Sequence, residues 1–220
     1  MIAVDVRLRI ELPEGAHEDD ASTLPAVEVP AAAGVEVVAR RGWTAASLAG
    51  AHGSEAPPTT VRVACVRAPS DRWAPGIEDL VLARATAIAQ RAAAVESARW
   101  EPSAIRTIGP RFEQTISGQA ARDGAPVSIA LRHVLAFAGE RRDAALCTLL
   151  CVEPRSDSRC QAIVDAAEPL GTLEAPPPPS LTIRAILLAA ERPAHAGVLA
   201  VVIAAALVAI LLHRRPRPRR

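Results

Sequence analysis

Residues 2–12 alternate strictly, with Val4, Val6, Leu8, Ile10 and Leu12 on one side and Asp5, Arg7, Arg9 and Glu11 on the other. A period of two marks a half-buried strand. The stretch LPEGAHEDDAS that follows reads as turn and loop. A second strand is predicted over residues 35–40, VEVVAR, and a short helix over residues 45–50. A third strand runs over residues 61–67, with Val61, Val63 and Cys65 on one face.

The period then changes. In SDRWAPGIEDLVLARATAIAQRAAAVESARW the apolar positions Ile77, Leu80, Val81, Ile88, Ala92 and Val95 recur at helical spacing. Ser70 or Asp71 is placed to cap this helix, and Pro75 suits its first position. Glu78 and Asp79 complement the positive end of its dipole. Four strands are predicted next, over residues 104–108, 111–117, 126–138 and 144–152. The last is apolar on both faces, so it is expected near the middle of a sheet. Ser156 and Asp157 then stand before a closing helix, residues 158–168, which Pro169 and Gly171 end. Three strands, a long helix, four strands and a short helix predict an α+β domain over residues 1–173: an antiparallel sheet packed with two main helices.

This order resembles that of the PsbP/DcrB-like domains. The residues that carry the likeness are IELPEG at residues 10–15, the long helix after APGIEDL, and the closing strand, turn and helix LCTLLCVEP…RCQAIVDAA. The resemblance covers roughly residues 2–170. It implies helices packed on an antiparallel sheet and a non-enzymatic accessory role; some DcrB-like members look like adaptors or chaperones in secretion systems.

Beyond the domain the pattern changes again. Residues 174–180 form a Pro-rich linker, with APPPPS stiff and extended. Residues 181–193 have an apolar side of Leu181, Ile183, Ile186, Leu187 and Leu188. Three readings stay open for them: a juxtamembrane amphipathic helix, an extension of the following span kinked at Pro193, or a segment packed on the domain. Residues 194–213 are the predicted transmembrane helix. Their centre, AGVLAVVIAAALVAILL (residues 196–212), has no charge across seventeen residues. The anchor residues are Ala196, Gly197, Val198, Leu199, Val201, Val202, Ile203, Leu207, Val208, Ile210, Leu211 and Leu212. At about 1.5 Å per residue the run spans roughly 25 Å, slightly less than the ~30 Å hydrocarbon core. The flanking tail, residues 214–220, supplies Arg214, Arg215, Arg217, Arg219 and Arg220, whose side chains can snorkel.

Orientation is contested within the sequence. The charged first residues lack a signal peptide's apolar core, which favours a tail-anchored protein with its domain in the cytoplasm. The arginine tail prefers the cytoplasmic side, which favours the opposite arrangement if a leader precedes this start.

Composition narrows the partners. Every basic residue is Arg, and Lys and Asn are absent. The chain's net charge of +1 includes the five terminal arginines, so without them it stands at −4. A mildly acidic body is not a nucleic-acid surface, and no such partner is expected. The expected partners are the bilayer and a protein.

Candidate chemistry is sparse. Cys147 and Cys151 share a strand face about 13 Å apart, too far for a mutual bridge. Cys160 opens the closing helix, where a thiol pKa falls. For the cysteines three readings stay open: buried thiols, a Cys151–Cys160 bridge across the turn, which would imply an oxidising compartment, or a redox or metal role. His133 lies on the apolar face with Ile129, Leu131 and Leu135 and is expected to be a core histidine bonded to a backbone carbonyl. The enzymatic alternative is a thiol-dependent redox or hydrolytic enzyme pairing Cys160 or Cys151 with His133. Glu18, Asp19 and Asp20 could bind a cation but read better as a solvated turn. Trp43, Trp73 and Trp100 are expected to roof the core; an exposed Trp73 could instead anchor a partner. No phosphate-loop, dinucleotide, nucleophile-elbow or zincin motif occurs, so no cofactor, catalytic or metal residue is assigned. The reading as a whole is a membrane-anchored binding or adaptor protein.

Overall fold

The computed structural model describes residues 7–20, 35–47, 57–70, 73–138 and 143–184. The chain divides into two compact units, Met1–Pro177 and Pro178–Arg220. Elements of the first unit run in the order β1 (Arg7–Arg9), β2 (His17–Glu18), β3 (Glu36–Ala45), β4 (Thr59–Ala68), α1 (Ile77–Ala92), β5 (Glu96–Pro102) and β6 (Arg106–Ile108). They continue with β7 (Arg111–Arg122), β8 (Ala125–Ala138), β9 (Asp143–Pro154), α2 (Cys160–Ala166), β10 (Glu168–Leu170) and β11 (Leu173–Glu174). The fold is α+β, dominated by antiparallel sheet.

Nine strands form one sheet along the path β2-β3-β4-β9-β8-β7-β5, with β6 added to β7 and β11 to β8. All its pairings are antiparallel. β9, expected to be central from its two apolar faces, lies between β4 and β8. β1 pairs separately with β10, Arg7 opposite Leu170.

Register sorts the side chains onto two faces. On one, Val61, Val63, Cys147, Leu149 and Ala130 pack against Ile163 and Val164 of α2. On the other, Val127, Ile129, Leu131, Leu150 and Val152 meet Ala89 of α1 and Ala93 just beyond it. A third cluster extends that second face, where Trp73, Leu82, Leu135 and Phe137 pack together. Trp73 is 7% exposed and contacts Phe112 and Phe137 at ring centroid distances of 5.7 and 4.6 Å. It is a core residue, not an exposed partner anchor.

α1 departs from its expected boundaries and stripe. Pro75 does not open the helix; Gly76 is the N-cap at φ 89, its N–H donating to Glu78 Oε2 (2.8 Å). Asp71 lies outside the described residues, and the Ser70 carbonyl accepts the Trp73 N–H in a turn (2.9 Å). The buried face is Leu82, Ala85 and Ala89, whereas Leu80 is 69% exposed. The expected stripe took in Leu80 and left out the fully buried Leu82, and the rest of the buried face is Ala85 and Ala89, small residues that let a helix approach a sheet closely. The helix also stops three residues early. Ala94 takes φ 49, and the chain returns as β5 instead of continuing helical through Val95. β5 reaches its neighbour because Gly118 has no side chain: a Cβ there would lie 3.0 Å from Arg99 O and 3.4 Å from the Trp100 ring.

Further boundaries moved: the closing helix expected over 158–168 is only Cys160–Ala166, with Glu168–Leu170 a strand, and the strand expected at 111–117 runs on to Arg122. β3 runs on to Ala45, where a short helix was expected; residues 48–50 of that helix lie outside the described residues. The strand expected at 104–108 is shortened to β6. The first strand is described only at Arg7–Arg9.

In the second unit residues 181–184 are helical, with the Ile183 N–H on Ser180 Oγ (3.4 Å), and Leu181 is 82% exposed. The rest of the juxtamembrane segment, the membrane anchor at 194–213 and the arginine tail at 214–220 lie outside the described residues. Among the described residues no helix is long and apolar enough to cross a membrane.

Candidate functional site

The β9–α2 junction brings together more buried polar groups than any other place the sequence singled out. β9 ends Cys151-Val152-Glu153-Pro154, and Glu153 is 3% exposed. Its carboxylate accepts the N–H groups of Arg159 (2.8 Å) and Cys160 (3.0 Å), satisfying donors at the start of α2. The expected caps Ser156 and Asp157 are used differently. Asp157 takes the Arg159 guanidinium (3.0 Å), which also donates to Thr59 Oγ1 (2.9 Å) and Ala46 O (3.1 Å).

The other end of α2 is held from the sheet. Arg132 Nη1 donates to the carbonyls of Val164, Asp165 and Ala167 at 2.9, 3.1 and 2.9 Å. Its Nη2 meets Glu113 Oε2 at 2.8 Å, and Arg111 meets the other oxygen of this fully buried carboxylate. A carboxylate thus sits at the N-terminus of α2 and a guanidinium at its C-terminus, matching the helix dipole at both ends.

All four cysteines are paired. Cys151 on β9 bridges Cys160 on α2 across a Cα separation of 5.4 Å. Cys65 and Cys147, directly opposite on β4 and β9, bridge across 4.1 Å. The sequence offered no sign of the second bridge, because strand partnership, not spacing, makes it.

Beside α2 the sheet carries a groove of about 590 Å³. Arg99 and Glu101 of β5, Ser117 and Gln119 of β7, and Ser128 of β8 line it. Gln161 of α2 and Arg155 of the preceding turn also line it, as do Glu153, Asp157, Ser158 and Cys160 at the β9–α2 junction. Cross-strand pairing sets Arg99 beside Gln119 beside Ser128, and Glu101 beside Ser117 beside Ala130. The surface carries both charge signs and many neutral hydrogen-bonding groups, and no aromatic ring lines it. Of the lining residues the sequence singled out only Asp157 and Cys160; Ser117 and Ser128 read as polar positions of predicted strands, and Arg99 fell in the stretch read as helix.

His133 is elsewhere. It is fully buried on the α1 face, with Nδ1 2.9 Å from Thr148 Oγ1 and Nε2 3.0 Å from Thr86 Oγ1. Thr86 gives its hydroxyl proton to Leu82 O (2.9 Å), so it can only accept from the ring. His133 therefore carries its proton on Nε2 and accepts from Thr148 through Nδ1. Burial lowers its pKa to about 4. Two threonine hydroxyls replace the expected backbone carbonyl. The thiol–histidine pair does not form: Cys147 and Cys151 project from the α2 face of β9, His133 from the α1 face of β8, and the sheet separates them.

The acidic turn is also accounted for. Asp19 accepts from Thr44 Oγ1 (2.7 Å), and Glu18 lies 3.5 Å from Arg41. Among the described residues no group of three His, Cys, Asp or Glu side chains is placed to hold a metal.

No protein-family model matches the chain, and no match emerges among curated proteins. Among solved structures, the chain is similar to LpqN of Mycobacterium tuberculosis, involved in cell envelope biogenesis: TM-score 0.44, 10% identity, covering 76% of this chain and 86% of LpqN. It is also similar to PA94 of Pseudomonas aeruginosa, a protein of unknown function: TM-score 0.34, 13% identity, covering 54% of this chain and 71% of that one. Likenesses this distant do not bear on function.

Proposed function

We propose that this chain is a non-enzymatic binding module, tethered to a membrane, whose groove beside α2 receives a protein partner. The observation that carries the reading is the groove itself: a large polar concavity on a reinforced part of the fold, with the nearest sulfurs locked in a bridge. A surface that is fixed in shape, mixed in charge and without an activated nucleophile suits recognition. The PsbP/DcrB-like resemblance, carried by element order, supports an accessory role of the same kind. The uncharged run at residues 196–212 supports the tether, and the Pro-rich linker would hold the domain clear of the bilayer.

The two bridges favour an oxidising compartment for the domain. They join the arginine tail's preference for the cytoplasm in supporting a domain outside it, with the tail inside. On this reading the domain lies outside the cytoplasm, the alternative to the tail-anchored arrangement. A reporter fused after Arg220 tests it: activity confined to the cytoplasm is expected, and activity confined to the other side overturns it.

For the groove, a photo-crosslinking residue at Gln119 of the membrane-bound full-length chain should give a discrete protein adduct. The same residue at Arg84, on the exposed side of α1, should not. Equal adducts from both positions overturn the assignment of the groove.

A further inference from the structure

A second polar site lies on the opposite face of the sheet. Arg62 of β4 and Arg122 at the end of β7 stand on strands separated by β9 and β8, yet their side chains converge at the C-terminal end of α1. Arg62 Nη1 donates to Ala92 O (2.5 Å); Arg122 donates to Ala93 O (3.1 Å) and Thr60 Oγ1 (3.4 Å).

Helix capping explains part of this arrangement and leaves a remainder. The end of a helix carries only about half a negative charge, and two full positive charges are gathered against it. Neither guanidinium forms an ion pair with a carboxylate among the described residues. Asp19 is close enough to act on Arg62 and Asp123 on Arg122, but both stay outside ion-pair distance. Each guanidinium has five N–H donors, of which the carbonyls and Thr60 occupy a minority. The Arg62 Nε–H is buried without a partner. Burial, and for Arg122 the neighbouring Arg62, lower the pKa of both groups, as expected of cations short of counter-charge. Arg62, Arg122 and Thr60 are all partly exposed.

We propose that Arg62, Arg122 and Thr60 form a binding site for a phosphate-type oxyanion, with the α1 carbonyls fixing the two guanidiniums in place. Paired planar forks match the several acceptor oxygens of a phosphate, and two cations match its charge better than that of a carboxylate. The site is independent of the groove, so each can fail alone.

The test is calorimetric titration of the full-length chain in non-ionic detergent at constant ionic strength. Inorganic phosphate is one titrant; glycerophosphoglycerol, the soluble headgroup of an anionic phospholipid, is the other. Saturable one-to-one binding of at least one is expected, and which one binds separates free phosphate from lipid. Arg62→Gln and Arg122→Gln should each weaken it about tenfold or more, while Arg99→Gln in the groove leaves it unchanged. Should either Gln variant fail to fold, Arg122→Lys keeps the charge but loses the fork, and should weaken binding about threefold or more. Absence of saturable binding by both titrants, or binding unaltered in the folded arginine variants, overturns the proposal.

Discussion

The two faces of the central sheet hold their helices by different means. α1 has sixteen residues and lies on an alanine face, with Leu82 buried and Trp73 packed beside it. α2 has seven residues, roughly half the length at which an isolated helix becomes even marginal. It is secured by the Cys151–Cys160 bridge, Glu153 at one end and Arg132 at the other. The difference teaches that a short element persists when covalent and charged contacts restrain it beside its few buried apolar residues, Ile163 and Val164. Such contacts also leave a polar surface beside it, and that is where the groove lies.

The largest expected effect separates the two bridges. Cys65–Cys147 closes a loop with sequence separation 82, Cys151–Cys160 one of 9. Chain entropy predicts a loss of about 4–5 kcal/mol for Cys65→Ala with Cys147→Ala, against about 3 kcal/mol for Cys151→Ala with Cys160→Ala. Urea denaturation of the two double variants measures both. If the short-loop pair costs more, the anchoring of α2 outweighs loop closure.

The α1 face should dominate acid sensitivity. His133 is neutral when folded, with its pKa lowered to about 4, so below its ordinary value near 6.5 the unfolded chain takes up the proton preferentially. Its contribution is complete above about pH 6.5, is lost as pH falls to about 4, and is then constant, a total of roughly 3 kcal/mol. In His133→Gln, whose amide can still meet both threonines, the fall in stability over that window should shrink by this amount. Equal pH profiles for the two proteins would place the ring in a more solvated site than the structure shows.

A smaller, local effect belongs to α2. Glu153→Gln leaves one acceptor oxygen for two N–H groups and should cost about 1–2 kcal/mol. Amide exchange at Arg159 and Cys160 should accelerate while α1 amides are unaffected. Smallest of all, Arg41→Ala removes an exposed ion pair with Glu18 at the sheet edge and should change stability by less than about 0.5 kcal/mol.

Much of this architecture was legible from periodicity. The alternation in β4 and β8, the two-sided apolar run of β9 and the helical spacing after Pro75 each marked their element, because burial imposes a period on the chain that forms it. Where the pattern was weak, reading failed. The alanines of α1 hid its buried face, and a left-handed Ala94 ended the helix where a residue rarely takes that conformation. β5, with Glu96, Arg99 and Glu101, has little apolar signal because it is an edge strand bordering a polar groove.

By itself, then, the sequence determined the α+β class, the central place of β9 and the uncharged apolar run at residues 196–212, since these follow from local pattern. Tertiary structure alone decided which cysteine meets which, that His133 lies across the sheet from the sulfurs, that Glu153 and Arg132 hold α2, and that Arg62 and Arg122 converge. Those are contacts between residues from about seven to more than eighty positions apart, set by strand order and register. A one-dimensional pattern records which side a residue faces, but not what it faces.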